Sequence, residues 1–196
     1  MQTSWEKSLE FHGHVCPGLV IGYRAAEIGL RELGIEFAGN DNLIAIAEND
    51  GCGIDAVQVV TGCTLGKGNL RLLDYGKQAY AFGRRDTGKA VRVIAKYGVL
   101  EGFTEFISLR EKFLSGDLTE QEQKTFLRQR EEVSEHLMEM AENELFVIQS
   151  LNLDLPGNVR TMRTVICSAC GEGVVETKAR VKDGTIVCCT CAGEAS

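Results

Sequence analysis

Two C-x2-C pairs close the chain, Cys167-Ser168-Ala169-Cys170 and Cys188-Cys189-Thr190-Cys191, with 17 residues between them. Each pair directs two thiolates at one point, and two pairs complete a tetrahedron around a cation such as Zn²⁺. So short a segment cannot bury a sufficient core alone, so the metal is expected to organise it. Val174, Val175, Ala179 and Val181 read as strand, and Lys182-Asp183-Gly184 as a hairpin turn, giving a ribbon or treble-clef-like knuckle. Cys189 is the spare thiol. Disulfides, or an iron–sulfur or rubredoxin-like iron site, are the competing uses of these cysteines. The expected cofactor is zinc, held in a closed structural site by Cys167, Cys170, Cys188 and Cys191.

The other three of the 8 cysteines, Cys16, Cys52 and Cys63, lie in the first third of the chain, which separates two chemical centres. No secretory signal opens the sequence, and no apolar run reaches the roughly 20 residues that cross a bilayer. Free thiols then point to a reducing, cytoplasmic setting. At 196 residues, 44% of them hydrophobic, the chain suits one core domain with a small appendage. We divide it into a core of residues 1–160, including a helical arm over about 103–143, and a finger of residues 161–196.

Charge is uneven. Residues 1–98 and 161–196 are each balanced, whereas residues 99–160 hold 6 basic against 13 acidic residues and carry the whole net charge of −7. Such a balance disfavours nucleic acid, whose phosphates need a basic excess. The acidic stretch reads as two helices, the first over about 103–114. The second opens with Thr119-Glu120-Gln121-Glu122, a capping box. Along it Phe126, Val133, Leu137 and Met140 form a narrow apolar seam interrupted by Arg130. That seam suits one partner helix, hence a homodimer through the arm; the alternative is a helix lying along its own domain.

The remainder reads as α+β, a helix pair packed on a mainly antiparallel or mixed sheet. Thr3 or Ser4 caps a short helix through about Phe11. Leu19, Tyr23, Ala26, Leu30 and Leu33 recur at helical spacing up to Gly34. Leu43–Ala47 reads as a buried strand and residues 53–61 as a short helix. Residues 70–75, 78–84 and 89–96 suggest a meander, and residues 145–151 a strand returning to the sheet.

The chemistry of the first third centres on Phe11-His12-Gly13-His14-Val15-Cys16-Pro17-Gly18. In extended or turn conformation alternate side chains share a face, so His14 and Cys16 are expected to converge. Cys16 also precedes a helix, whose N-terminus favours a thiolate. Cys52 and Cys63 bracket the 53–61 helix and are expected to complete a cleft that holds a second metal of unknown identity. Read singly, each of these residues is an ordinary core or surface side chain. The loop Gly62-Cys63-Thr64-Leu65-Gly66-Lys67-Gly68 fails as a phosphate loop, because Thr61 stands where a glycine is needed and Gly68 follows the lysine. No hydrolase template is evident.

Phe11-His12-Gly13-His14 with Cys16-Pro17-Gly18, Cys52 with Asp55, and Gly62 through Asn69 together resemble the FmdE family, named for formylmethanofuran dehydrogenase. The cysteine-rich tail resembles the zinc finger that many members append. The resemblance implies an α+β core, a helical arm, a finger, dimers built by exchanged contacts and a His/Cys cleft for a metal. It also implies association with a molybdenum or tungsten enzyme that reduces CO₂ to a formyl group. No pterin or iron–sulfur pattern accompanies the cleft. Two functions are expected from this. One is a metal- or thiol-dependent site, with His14, Cys16 and Cys63 as ligands or nucleophile and Cys52 in support. In it Lys67 meets an anionic substrate, Asp55 orients a neighbour, and His12 and Asn69 line the cleft. The other is an accessory protein for an oxidoreductase complex, docking through finger and arm.

Overall fold

The structure, a computed structural model, describes residues 2–35, 42–152 and 163–194. The chain forms two compact units, Met1–Asn158 and Val159–Ser196; the division expected at 160/161 lies outside the described residues.

In the first unit, α1 (Ser4–His12) starts at Thr3, whose hydroxyl accepts from Glu6 N–H while the Glu6 carboxylate accepts from Thr3 N–H. This reciprocal pair satisfies two otherwise orphaned donors. Gly13, at φ 86°, ends the helix in a left-handed turn that glycine adopts at no steric cost. α2 (Pro17–Glu32) follows after a short turn, with Cys16 as its N-cap and Pro17 in its first turn. α3 spans Gly53–Thr61. All three helices bury apolar faces in one core with the sheet.

The sheet is mixed, in the order β2-β1-β3-β4-β5, with β1 Leu43–Ala47, β2 Leu70–Leu72, β3 Ala79–Arg84, β4 Lys89–Ala95 and β5 Phe146–Asn152. Only β1 and β2 pair in parallel. The expected meander of residues 70–96 is therefore corrected at its first strand. β1–α3–β2 is a crossover unit, since parallel neighbours need a helix between them, and β3 takes the other edge of β1. Leu43, Ala45 and Ala47 face the core together with Tyr80, Phe82, Val91 and Val93, as the period of two requires.

α2 presses unusually close to its neighbours because glycines line its inner face. A Cβ built on Gly22 would stand 2.1 Å from Gly53 O, and one on Gly29 would stand 2.2 Å from the Phe82 ring. This approach sets the start of α3 against the start of α2.

The acidic segment forms α4 (Thr104–Ser115) and α5 (Glu120–Glu139), the latter opened by a capping box between Thr119 and Glu122. A short α6 (Glu142–Leu145) leads into β5. The α5 seam is spent inside the chain. Phe126 stacks on Phe106 and Phe113, and Phe126, Val133 and Leu137 are buried in the common core. From α2, Arg24 donates to the carbonyls of Leu137 and Met140, satisfying acceptors at the end of α5. The seam residues thus pack along the chain's own first unit, with Met140 partly buried against the same core. Among the described residues no helix is long and apolar enough to cross a membrane.

The second unit is two hairpins and a helical turn. β6 (Thr164–Ile166) pairs with β7 (Gly173–Val175), and β8 (Arg180–Lys182) with β9 (Thr185–Val187). A 3₁₀ turn at Glu176–Lys178 joins the hairpins, and α7 (Cys189–Ala192) follows. Asp183 and Gly184 both have positive φ, 51° and 76°, the two-residue turn that matches strand twist.

Candidate metal centres

In the second unit the Sγ atoms of Cys167, Cys170, Cys188 and Cys191 lie within 4.8 Å of one another. Ligands about 2.3 Å from a tetrahedral zinc stand about 3.8 Å apart, a spacing that falls within this limit. The first pair occupies the β6–β7 turn and the second the start of α7. Main-chain donors already point at the sulfurs: Cys188 N–H donates to Cys167 Sγ at 3.2 Å, and Cys191 N–H to Cys188 Sγ at 3.4 Å. N–H groups of Cys170 and Cys188 hold the Cys167 thiol down near 6, while the neighbouring thiols, Cys188 first, push Cys191 up to about 12. Four sulfurs crowded together without charge compensation behave this way, and a divalent cation removes the conflict. Cys189 turns aside and donates to Lys178 O at 3.1 Å.

The second cluster sits where α1, α2 and α3 meet: the ligand atoms of His12, Cys16 and Cys52 lie within 4.8 Å of one another. His12 is the last residue of α1, while Cys16 and Cys52 are the N-caps of α2 and α3. Asp55, in the first turn of α3, lies 2.7 Å from His12 Nδ1, and His12 Nε2 lies 3.7 Å from Cys16 Sγ. With Nδ1–H donated to the carboxylate, Nε2 presents its lone pair toward the thiols, the arrangement of a metal-ligating imidazole held by an outer carboxylate. Cys16 is buried and Cys52 exposed. Burial pushes the Cys16 thiol up to about 11 against the opposing pull of Leu19 N–H. A nitrogen and two sulfurs at one corner suit a borderline-soft divalent ion and leave a fourth tetrahedral position unclaimed.

The turn that leads into Cys52 is held by groups with no sequence motif. The Asn49 side chain donates to Lys77 O and accepts from Gly51 N–H, and Tyr80 Oη lies 3.5 Å from Asn49 Oδ1. Glu48 forms a two-pronged pair with Arg92 across the sheet, with Arg92 Nη2 2.7 Å from Oε2. Arg92 lowers the Glu48 pKa below its ordinary 4.5. The pair's stabilisation is therefore complete above pH 4.5 and lost as pH falls through the lower folded value. Glu48→Gln is expected to cost about 2 kcal/mol at neutral pH, the loss of a charged hydrogen bond. That is a melting drop of roughly 4–8 °C, and the gap from the parent closes on acidification. A gap that persists unchanged at about pH 3 would assign the stabilisation elsewhere.

The structure assembles the cleft from His12, Cys16, Cys52 and Asp55, and not from Cys63. Cys63 is fully buried, with Sγ 3.6 Å from Leu43 O. α3 lies between Cys52 and Cys63, and 11 residues at about 1.5 Å each separate them by about 16 Å. Lys67 and Asn69 share that far end. Lys67 Nζ donates to Gly62 O, and Asn69 Oδ1 accepts from Thr64 N–H. These three residues close the α3–β2 loop. His14 is exposed, its ring tilted by 41° to that of His12 with the centroids 4.5 Å apart, outside the group of three ligand atoms. Alternation places His14 with Cys16, but the left-handed turn at Gly13 and the start of α2 replace an extended strand there. A spacing of four, His12 to Cys16, is the better signal.

The sequence profile of the FmdE family, described as "FmdE, Molybdenum formylmethanofuran dehydrogenase operon", matches residues 11–147. The crystal structure of a tungsten formylmethanofuran dehydrogenase FmdE-like protein from Syntrophus aciditrophicus superposes with a TM-score of 0.63 at 24% identity. That match covers 97% of this chain and 93% of the other, and it speaks for the fold. A curated relative from Archaeoglobus fulgidus, a "Probable S-adenosyl-L-methionine-binding protein", is 34% identical over 200 residues, 95% of this chain. The chain spans about half of that relative's length, 52%.

Proposed function

Since the chain belongs to the FmdE family, we propose that it is a two-metal protein serving a molybdenum- or tungsten-dependent formylmethanofuran-dehydrogenase type of redox metabolism in a reducing cytoplasm. The Cys167, Cys170, Cys188 and Cys191 set holds zinc and folds the finger. His12, Cys16 and Cys52 hold the second metal, with Asp55 fixing the imidazole. The carrying observation is the 2.7 Å contact between Asp55 and His12 Nδ1, which commits Nε2 to the side where the two thiols meet. A metal bound there would act as a Lewis acid or redox centre. The chain's own residues orient the imidazole, bury Cys16 and leave access past Cys52. A docking role beside an oxidoreductase uses the same two centres without turnover.

Elemental analysis of anaerobically purified protein tests the reading. The parent is expected to carry two metals per chain, and Cys16→Ser/Cys52→Ser one, with the finger's zinc retained. Because Cys16 must release its proton on binding, uptake at the open centre strengthens as pH rises. Equal metal content in parent and variant overturns the assignment.

The relative's printed name motivates a second reading, binding of S-adenosyl-L-methionine. The first unit has a mainly apolar cavity of about 560 Å³, lined by Ile21, Ile94, Val99, Leu100 and Ile107 among others. That volume is of the size that small ligands occupy. Equilibrium dialysis with that compound separates the two readings.

A further inference from the structure

Two of the three donors at the corner of α1, α2 and α3 are thiols that meet over one helical turn. Cys16 folds back on the first turn of α2, where its Sγ accepts from Leu19 N–H at 3.4 Å. Cys52 touches the same turn: a Cβ built on Gly18 would stand 3.3 Å from Cys52 Cβ. The two Sγ atoms lie within 4.8 Å of each other. Cys52 caps α3 without a side-chain hydrogen bond, so turning its thiol breaks no cap. A disulfide needs sulfurs about 2.0 Å apart and Cβ atoms about 3.5–4.5 Å apart. With the two helix starts already in contact, side-chain rotation is the movement left to make. Cys63, fully buried at the far end of α3, is out of reach of both.

We propose that Cys16 and Cys52 are also a redox modification site, at which a hydroperoxide joins them as a disulfide and discharges the metal they hold. This rests on the reading that His12, Cys16 and Cys52 bind that metal. Cys52 is exposed and meets the oxidant, and Cys16, buried beside it, resolves the product. The Cys52 sulfur attacks one peroxide oxygen and the O–O bond breaks. A sulfenic acid forms, and the thiol proton leaves on the other oxygen, as water from hydrogen peroxide. The Cys16 sulfur then attacks the sulfenic sulfur. The S–S bond forms, the S–O bond breaks, and the oxygen departs with the Cys16 proton as a second water. Two thiols lose two electrons and the peroxide takes them. From metal-bound thiolates the same steps release hydroxide in place of water, and the ion leaves as a divalent cation. Only His12 then remains as a donor, and one imidazole is too few to keep the ion.

The test treats the full chain, carrying zinc at both centres, with a small excess of hydrogen peroxide. Zinc release is followed with a chromogenic chelator, and disulfides are mapped by mass spectrometry after free thiols are alkylated. The parent is expected to release one zinc per chain, to carry a Cys16–Cys52 bond with the four finger thiols still alkylated, and to rebind the zinc once a thiol reductant is added. Cys16→Ser is expected to stop at a sulfenic acid on Cys52, trapped by dimedone, and Cys189→Ser to behave as the parent does. Cys16 and Cys52 staying reduced, a bond from either to another cysteine, or both zincs retained beside a Cys16–Cys52 bond overturns the proposal. Failure of the underlying reading shows separately, before any peroxide is added, as equal zinc in the parent and Cys16→Ser/Cys52→Ser.

Discussion

Removing the metal from the C-terminal centre, or replacing Cys167 with serine, is expected to unfold residues 163–194 while residues 2–152 keep their structure. Cys167 and Val187 are the only buried hydrophobic side chains among the described residues of this unit, so no apolar core survives metal loss. Its strands have three residues each, too short to stand as isolated hairpins in water. Structural zinc contributes roughly 10–16 kcal/mol to such folds, comparable to the whole stability of an ordinary domain, about 5–15 kcal/mol. The transition should therefore be complete. Amide spectra recorded with and without a strong chelator are the check. Dispersed resonances for Thr164–Val187 in the metal-free protein would show that the hairpins hold themselves.

The second large effect is expected from one methyl group. A Cβ on Gly22 meets Gly53 O at 2.1 Å and Gly53 Cα at 2.3 Å, so Gly22→Ala sets side chain against main chain with no rotamer to relieve it. Gly53→Ala meets Tyr80 Oη at 2.2 Å and Gly18 O at 2.8 Å. The helices must part, at about 3 kcal/mol or more by analogy with overpacked cores, a melting drop of roughly 6–12 °C. Parting α3 from α2 also carries Cys52 away from Cys16, so one of the two metals should be lost as well. Gly66→Ala is the control, since a Cβ there meets nothing within 4 Å and should cost within about 0.5 kcal/mol. If Gly22→Ala melts like the parent with both metals bound, close helix contact is not what assembles the centre.

Much of this architecture is legible in the residues themselves. The capping boxes at Thr3 and Thr119 place two helix starts, and β1 and α3 fall on the residues that apolar runs and flanking glycines mark. The finger is legible because ligand spacing is a local constraint. Local patterns cannot report which strand edge is free, and so β2, expected beside β3, lies beside β1. Nor do they report how far a helix carries its ends apart. Cys52 and Cys63 look equivalent as brackets of α3, yet helical rise sends one to the cleft and the other into the core. The Glu48–Arg92 pair joins residues 44 apart through sheet pairing, and no pattern in the sequence marks it.

Cys16 is buried and Cys52 exposed, so solvent reaches the three-ligand corner on the Cys52 side. Any visitor must pass the outer sulfur before it meets the inner one.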